Sequence, residues 1–188
     1  MTEYFQHFPK IDSVEWTEYF LKEFLPKHKF FENLSKSKYN YVQYNDINID
    51  PAIVKLSSIL ESKFNFPPIE YFLIFCHDQE NQPIHIDGIN QLRYASLNLT
   101  ISGFENTKML FYKKNNPNAT ASVTNASYFD IKDLTLVTEF NGSNEWVLVN
   151  SGEPHQVIGI NIDSPRITVC FRFLNNPIFK NLVKNAKL

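Results

Sequence analysis

The sequence predicts a mainly β fold with helices at its N-terminus. Short apolar runs alternate with Asn, Gly, Pro and Ser turns from residue 69 to about residue 174, without helical patterns between them. Aromatic residues make up 15% of the chain, which suits a β-rich core. Many short strands without intervening helices indicate a sandwich, a barrel or a jelly roll. The length of 188 residues favours a single domain, 1–188, with 1–68 as a mainly helical support, 69–174 as a jelly-roll core and 175–188 as a tail.

Two helices are predicted before the β-rich part. The first begins at Asp12-Ser13, which supply an N-cap, and is expected to end at Pro26. The second begins at Asp50-Pro51, where a capping residue precedes proline at the first helical position, and it closes before Pro67-Pro68. The stretch 39–44 between them is typical of a strand.

The β-rich part divides into short strands separated by turn residues. The candidate strands are 69–76, 84–87, 93–101, 108–113, 126–130, 134–139, 145–150, 155–160 and 166–174. The polar segment 113–125 is either a mobile lid or a surface connection. The tail contains a short helix that begins at Pro177.

Two of these strands have one apolar and one polar face, because side chains alternate between the faces of a strand. In 93–101 the polar face carries Tyr94, Ser96, Asn98 and Thr100. In 166–174 it carries Arg166, Thr168 and Cys170. An ordinary sheet would expose such a face to water. The alternative is a jelly roll with two helices packed on the apolar face of its larger sheet, so that the polar face lines a wet cavity.

Composition and charge narrow the class of protein. The net charge of −2 gives no long-range reason to expect a nucleic-acid or membrane partner. Cys76 and Cys170 each lie in an apolar run and are expected to be reduced core thiols. The N-terminus lacks the pattern of a signal peptide, and no apolar run is long enough to span a membrane. We therefore expect a cytoplasmic protein.

Three residues form a candidate metal site. His85 and Asp87 are two positions apart, so an extended strand places both on one face. His155 follows the turn Gly152-Glu153-Pro154 and begins another strand. Two imidazoles and a carboxylate are a ligand set for iron(II) that leaves positions open. Any single histidine is more often a surface or core residue, which is the assignment we give to His7, His28 and His77.

Arg166 and Thr168 share a strand face after the second histidine of this site. A buried arginine needs an anionic partner, because its desolvation is otherwise costly, and a carboxylate matches the guanidinium in geometry. The anion is either a bound cofactor or one of the chain's own acids. Arg93 and Arg172 are assigned as substrate contacts or surface charges.

The order His-x-Asp, a distant His and Arg-x-Thr resembles the iron(II)/2-oxoglutarate-dependent dioxygenase superfamily over about residues 69–174. The stretch 85–93 with Leu97-Asn98-Leu99 is also similar to small bacteriophage and bacterial members. The resemblance implies a double-stranded β-helix, iron(II) held by His85, Asp87 and His155, and 2-oxoglutarate held by Arg166 and Thr168. It further suggests Tyr94, Asn98 and Tyr112 as residues that bind 2-oxoglutarate or substrate, although each is equally well explained as a core polar group.

The implied reaction is oxidation by O2, most often hydroxylation, of a polar small molecule or a peptide side chain, with release of succinate and CO2. Two other interpretations stay open: a cupin-like metal-binding protein or enzyme that does not use 2-oxoglutarate, and a non-catalytic β-sandwich binding module. The chain has only five glycines and no Gly-rich phosphate loop, which argues against nucleotide binding.

Overall fold

The structure is a computed structural model that describes most of the chain. The described residues are 3–37, 40–77, 81–87, 95–116, 126–161, 163–175 and 177–186, with the backbone alone described for 126–128. The helices are α1 (Ser13–Tyr19), α2 (Leu25–Lys27), α3 (Phe30–Lys36), α4 (Pro51–Phe64) and α5 (Phe179–Asn185). Among the described residues, no helix combines the length and the apolar character needed to cross a bilayer.

In the described part of the chain, eleven strands form two antiparallel sheets. The strands are β1 (Phe5–His7), β2 (Tyr41–Tyr44), β3 (Ile69–His77), β4 (His85–Asp87), β5 (Ala95–Ser102), β6 (Lys108–Lys114), β7 (Ala126–Tyr128), β8 (Leu134–Asn141), β9 (Trp146–Asn150), β10 (His155–Ile158) and β11 (Arg166–Phe173). The larger sheet has the order β1-β9-β5-β11-β3-β2, and the smaller sheet has the order β7-β4-β10-β6-β8. This is the jelly roll that the sequence predicts, and every candidate strand from residue 69 onward is present.

The larger sheet separates two different environments. Its outer face is apolar and packs under the N-terminal helices, as predicted from the alternation in β5 and β11. The sheet contributes Phe72, Ile74, Leu97, Leu99, Val169 and Phe171 to this core, and the helical part contributes Trp16, Phe20, Phe24, Phe30, Ile53 and Leu56. The inner face looks toward the smaller sheet. One side of that interface is filled by apolar residues, among them Phe111, Val147, Val149 and Val157.

The N-terminal part differs from the prediction in three ways. The helix α3 lies in a stretch for which the sequence predicts no element. Phe5–His7 form an edge strand that pairs with β9, which the short segment did not reveal. The first helical region also does not end at Pro26. A π-helical turn over Phe20–Phe24, in which Leu25 donates its N–H to the Phe20 carbonyl, widens the helix just before the proline. The widened turn accommodates a residue that has no N–H to donate, so helical backbone continues to Lys27.

The cysteines agree with the prediction of reduced thiols. Both are free, with Cys170 buried on the inner face of β11 and Cys76 partly buried against the helical core. The polar segment 113–125 lies largely outside the described residues, because the structure describes it only as far as residue 116.

Candidate metal centre

The two strands of the smaller sheet that carry the predicted histidines are neighbours. β4 and β10 run antiparallel, and His85 lies directly opposite His155. The imidazole centroids are 4.5 Å apart. Asp87 lies on the same face as His85, with its Oδ1 atom 3.6 Å from His85 Nε2. One ligand atom from each of the three residues falls within 4.8 Å of the others, which is a cluster able to hold one metal ion.

Both imidazoles are oriented by the same local device. His85 Nδ1 lies 2.8 Å from the carbonyl oxygen of Pro83, and His155 Nδ1 lies 2.8 Å from that of Glu153. In each case the carbonyl two residues earlier can accept the Nδ1 proton, so that Nε2 is the ring nitrogen that offers a lone pair to a metal. A metal-ligating histidine commonly gives its other N–H to such an acceptor, which fixes its tautomer and ring orientation.

His155 is suited to coordination at neutral pH. It is only 4% exposed. Burial, together with the neighbouring His85, lowers the pKa of His155 to about 4 against the opposing effect of Asp87. The ring is therefore neutral at neutral pH, which is the form that binds a metal ion.

The second oxygen of Asp87 is held by an arginine from the opposite sheet. Asp87 Oδ2 accepts a hydrogen bond from Arg172 Nη2 at 2.5 Å, and Arg172 Nη1 donates to Ser151 Oγ at 2.7 Å. The backbone N–H of Asp87 donates to the Ser151 carbonyl at 2.9 Å, which closes a ring of three residues. Burial alone would raise the pKa of Asp87, but Arg172 and the two histidines outweigh it and hold the pKa below its usual range. The carboxylate is thus ionised and oriented, as a metal ligand must be.

The sequence predicts Arg172 as a substrate contact or a surface charge, and its burial contradicts the surface charge. It is 5% exposed and bonds to Asp87 and Ser151. The signal was present in the sequence, because Arg172 lies six residues after Arg166 on the same face of β11. Its partner Asp87 on β4 could not be predicted from the sequence, because the contact joins two sheets.

Arg166 lies on the same inner face without an acidic partner among the described residues. It is 8% exposed. Its Nη2 atom donates to Thr100 Oγ1 at 3.0 Å, and its buried Nε has no hydrogen-bond partner among the residues that the structure describes. Burial lowers the pKa of Arg166 to about 10, so the guanidinium still carries its charge at neutral pH. A buried cation with a free N–H is a site that fits an added anion.

Two threonines complete this part of the inner face. Thr168 Oγ1 lies 3.2 Å from Thr100 Oγ1, and both side chains are buried. Asn98 lies on the same face of β5, opposite Cys170 of β11, and its buried Oδ1 has no hydrogen-bond partner within the described part of the chain. Polar atoms without partners on a buried face are rare, so the inner surface is suited to a polar ligand.

The remaining predicted residues are not brought to this surface by the described structure. Tyr112 packs on the outer face of the smaller sheet with Ile84, Leu110 and Leu134. Its hydroxyl donates to Gln156 Oε1 at 2.8 Å. The structure therefore does not support Tyr112 as a cofactor ligand, because the alternation of β6 gives the inner face to Phe111. Tyr94 and Arg93 lie outside the described residues.

The arrangement of the two sheets decides the fold type. The chain folds as a double-stranded β-helix. Among solved structures, HygX from Streptomyces hygroscopicus with nickel and 2-oxoglutarate bound is similar over 91% of this chain and 83% of that chain, with TM-score 0.53 and 11% identity. SnoK, a non-heme alpha ketoglutarate dependent carbocyclase from nogalamycin biosynthesis, is similar over 90% of this chain and 80% of that one, with TM-score 0.52 and 14% identity.

AviO1 from Streptomyces viridochromogenes Tue57 is a further neighbour, with TM-score 0.50, 10% identity, and coverage of 93% of this chain and 91% of that one. No protein-family model and no curated protein sequence matches this chain. At these identities the likeness to solved structures concerns the fold, so the resemblance inferred from the sequence extends to the architecture. The reaction depends on the residues of the site and not on the fold alone.

Proposed function

We propose that this protein is an iron(II)- and 2-oxoglutarate-dependent oxygenase. The proposal rests on one observation: two groups of side chains face each other between the two sheets. A His/Asp/His cluster that could hold a metal ion lies on the smaller sheet, and a buried arginine without an acidic partner among the described residues faces it from the larger sheet. Arg172, by contrast, has a carboxylate partner in Asp87, as a structural ion pair requires.

In this proposal His85, Asp87 and His155 hold iron(II). The two Nε2 atoms and one carboxylate oxygen supply three ligands and leave coordination positions for other groups. Arg172 keeps the second Asp87 oxygen occupied, so that the carboxylate offers one oxygen to the metal in a fixed direction.

Arg166 and Thr168 bind the distal carboxylate of 2-oxoglutarate. The guanidinium supplies the charge and a free N–H, and the Thr168 hydroxyl lies one hydrogen-bond step away through Thr100. HygX, which has a similar fold, binds nickel and 2-oxoglutarate, and this supports the proposal that the present chain binds a metal ion and 2-oxoglutarate. Iron and 2-oxoglutarate, when bound, supply the activation of O2, with release of succinate and CO2.

The substrate that we propose is a polar small molecule or a peptide side chain, and the proposed outcome is hydroxylation. The inner face of the larger sheet supports a polar substrate, because Ser96, Asn98 and Thr100 line β5 there. The unpartnered Oδ1 of Asn98 is one hydrogen-bond acceptor available to substrate or cofactor.

The test is an anaerobic titration of the metal-free protein with iron(II) and 2-oxoglutarate, followed by the weak visible charge-transfer band of the chelate. We expect the band in the wild-type protein and no band in His155→Ala. In Arg166→Ala we expect the affinity for 2-oxoglutarate to fall by at least about 10-fold, because a charge-assisted hydrogen bond is lost. His7→Ala is the matched control, since His7 is half-exposed and pairs with Glu145.

The outcomes separate the three interpretations of the sequence. Correctly folded protein that binds no iron contradicts the proposal and leaves a non-catalytic binding module. Iron binding without the band, and without an effect of 2-oxoglutarate, contradicts it in favour of a cupin-like metal protein. A band that requires His155 and weakens in Arg166→Ala supports it and justifies a substrate screen for succinate release.

A further inference from the structure

His77 is a buried polar residue that the proposed function has not yet used. It is the last residue of β3 and lies directly opposite Arg166 of β11. Residues directly opposite in an antiparallel pair point to the same face, with Cβ atoms about 4.5–5.5 Å apart. Both side chains are 8% exposed, so an imidazole and a guanidinium lie side by side on the inner face.

The His77 ring is held by residues from outside its own strand. Asn40 Nδ2, just before β2, lies 2.8 Å from His77 Nδ1, and an amide donor at this nitrogen matches the tautomer that carries its proton on Nε2. Gln82 Nε2 lies 2.6 Å from each ring nitrogen. A second polar group can therefore contact the imidazole at this position. The backbone of Gln82, and not its side chain, is held by two hydrogen bonds: its N–H donates to the Val157 carbonyl, and its carbonyl oxygen accepts from Gln156 Nε2.

The charges around His77 and its burial determine the protonation state of the imidazole. Burial and the neighbouring charge of Arg166 lower the pKa of His77 to about 3, so the ring is neutral at neutral pH. His85 and Asp87 also act on His77, which places it within electrostatic range of both the arginine and the metal cluster. The His77–Arg166 pair therefore carries one positive charge and offers N–H donors from two side chains, which matches one carboxylate with two oxygens.

We propose, on the basis of the proposed function, that His77 is a further cofactor-binding residue. Its Nε2–H donates to one oxygen of the distal carboxylate of 2-oxoglutarate while Arg166 binds the other. His77 thereby makes the site selective for a 2-oxo acid that has a second carboxylate. The Gln82 amide moves aside from Nε2 when this carboxylate binds.

The experiment compares two isosteric variants. In His77→Gln the amide nitrogen takes the place of Nε2, whereas in His77→Asn it takes the place of Nδ1 and cannot reach the carboxylate. The dissociation constants of 2-oxoglutarate and of pyruvate, which lacks the second carboxylate, are measured anaerobically with iron(II)-loaded protein by calorimetry. We expect His77→Asn to bind 2-oxoglutarate about 10-fold or more weakly and pyruvate unchanged. We expect His77→Gln to restore most of the 2-oxoglutarate affinity, and the control His7→Asn to leave both constants unchanged.

Three results would overturn the inference. If the wild-type protein prefers 2-oxoglutarate to pyruvate and His77→Asn keeps that preference, His77 is not a ligand although the proposed function stands. If both ligands weaken equally in His77→Asn and in His77→Gln, the role of His77 is structural. If the wild-type protein binds 2-oxoglutarate no better than pyruvate, the proposed function fails and this inference fails with it.

Discussion

Two arginines on one strand face show how the same residue type serves two purposes. Arg166 and Arg172 both lie on the inner face of β11, and both are buried. Arg172 forms an ion pair with Asp87 and a hydrogen bond to Ser151. Arg166 has a hydrogen bond to Thr100 and a buried Nε without a partner among the described residues. In the proposed function, this difference makes Arg172 a support for the metal ligand Asp87 and Arg166 a binding residue for 2-oxoglutarate.

The uncompensated charge of Arg166 predicts a stability effect in the ligand-free protein. Replacing a buried charge with an apolar side chain of similar length is often stabilising, because the desolvation cost disappears. We expect Arg166→Met to raise the free energy of unfolding of the metal-free protein by about 1 kcal/mol or more. Urea denaturation at neutral pH measures this change. A decrease in stability would contradict it and would indicate that Arg166 has a strong partner within the chain.

At the scale of elements, β11 is central to the site because it carries both Arg166 and Arg172 on its inner face. Its outer face packs in the core beneath the helices, and this packing fixes the position and direction of the strand. Its neighbours β3 and β5 bring His77 and Thr100 beside Arg166. At its other end, Arg172 reaches across to Asp87 on β4, so one side chain joins the two sheets at the metal ligand.

This cross-sheet contact gives the prediction for Arg172→Met. The variant leaves the partly buried Asp87 without its cation, and breaking one side of such a pair costs about 3–5 kcal/mol of stability. We expect a drop in the free energy of unfolding in that range or somewhat below it, because Asp87 keeps partial access to water. We also expect the affinity for iron(II) to fall by about 10–100-fold, as for other supports of metal ligands.

Arg166→Met serves as the matched comparison, since it removes an arginine from the same face of the same strand. Urea denaturation and metal titration of both variants should give stability changes of opposite sign. Unchanged metal affinity in Arg172→Met would show that Asp87 holds its orientation without the arginine.

At the scale of the whole molecule, the helical N-terminal part and the β-rich part share one core. Residues of α1, the π-helical turn, α3 and α4 pack in the same cluster as β3, β5, β9 and β11. β1 and β2 also extend the larger sheet at both edges. The boundary at residue 68 that the sequence suggests is therefore a change of secondary structure within a shared core.

This shared core predicts a single cooperative unfolding transition for the full chain. A fragment 69–188 exposes the apolar outer face of the larger sheet, so we expect it to aggregate or to lack fixed tertiary structure. Near-ultraviolet circular dichroism of the fragment and two-probe denaturation of the full chain test these expectations. Two separate transitions, or a folded fragment, would show that the jelly roll is an independent unit.

Much of the fold and of the candidate site was readable from the sequence, because the signals were local. The alternation of apolar and polar residues over a few positions predicts the strands. The N-cap Asp50 followed by Pro51 predicts the start of α4. The spacing of His85 and Asp87, and of Arg166 and Thr168, fixes which residues share a strand face. The sequence thus determined the class of fold, the inner face of β11 and three candidate ligands.

The packing of the two sheets sets which of these faces meet and which partners each side chain has. It placed His85 opposite His155, joined Asp87 to Arg172 across the sheets, and brought His77 beside Arg166. Such contacts join positions far apart in the chain, and their register depends on bulges such as the one between Phe111 and Tyr112. Local patterns carry no information about that register, because it is set by how two sheets pack together.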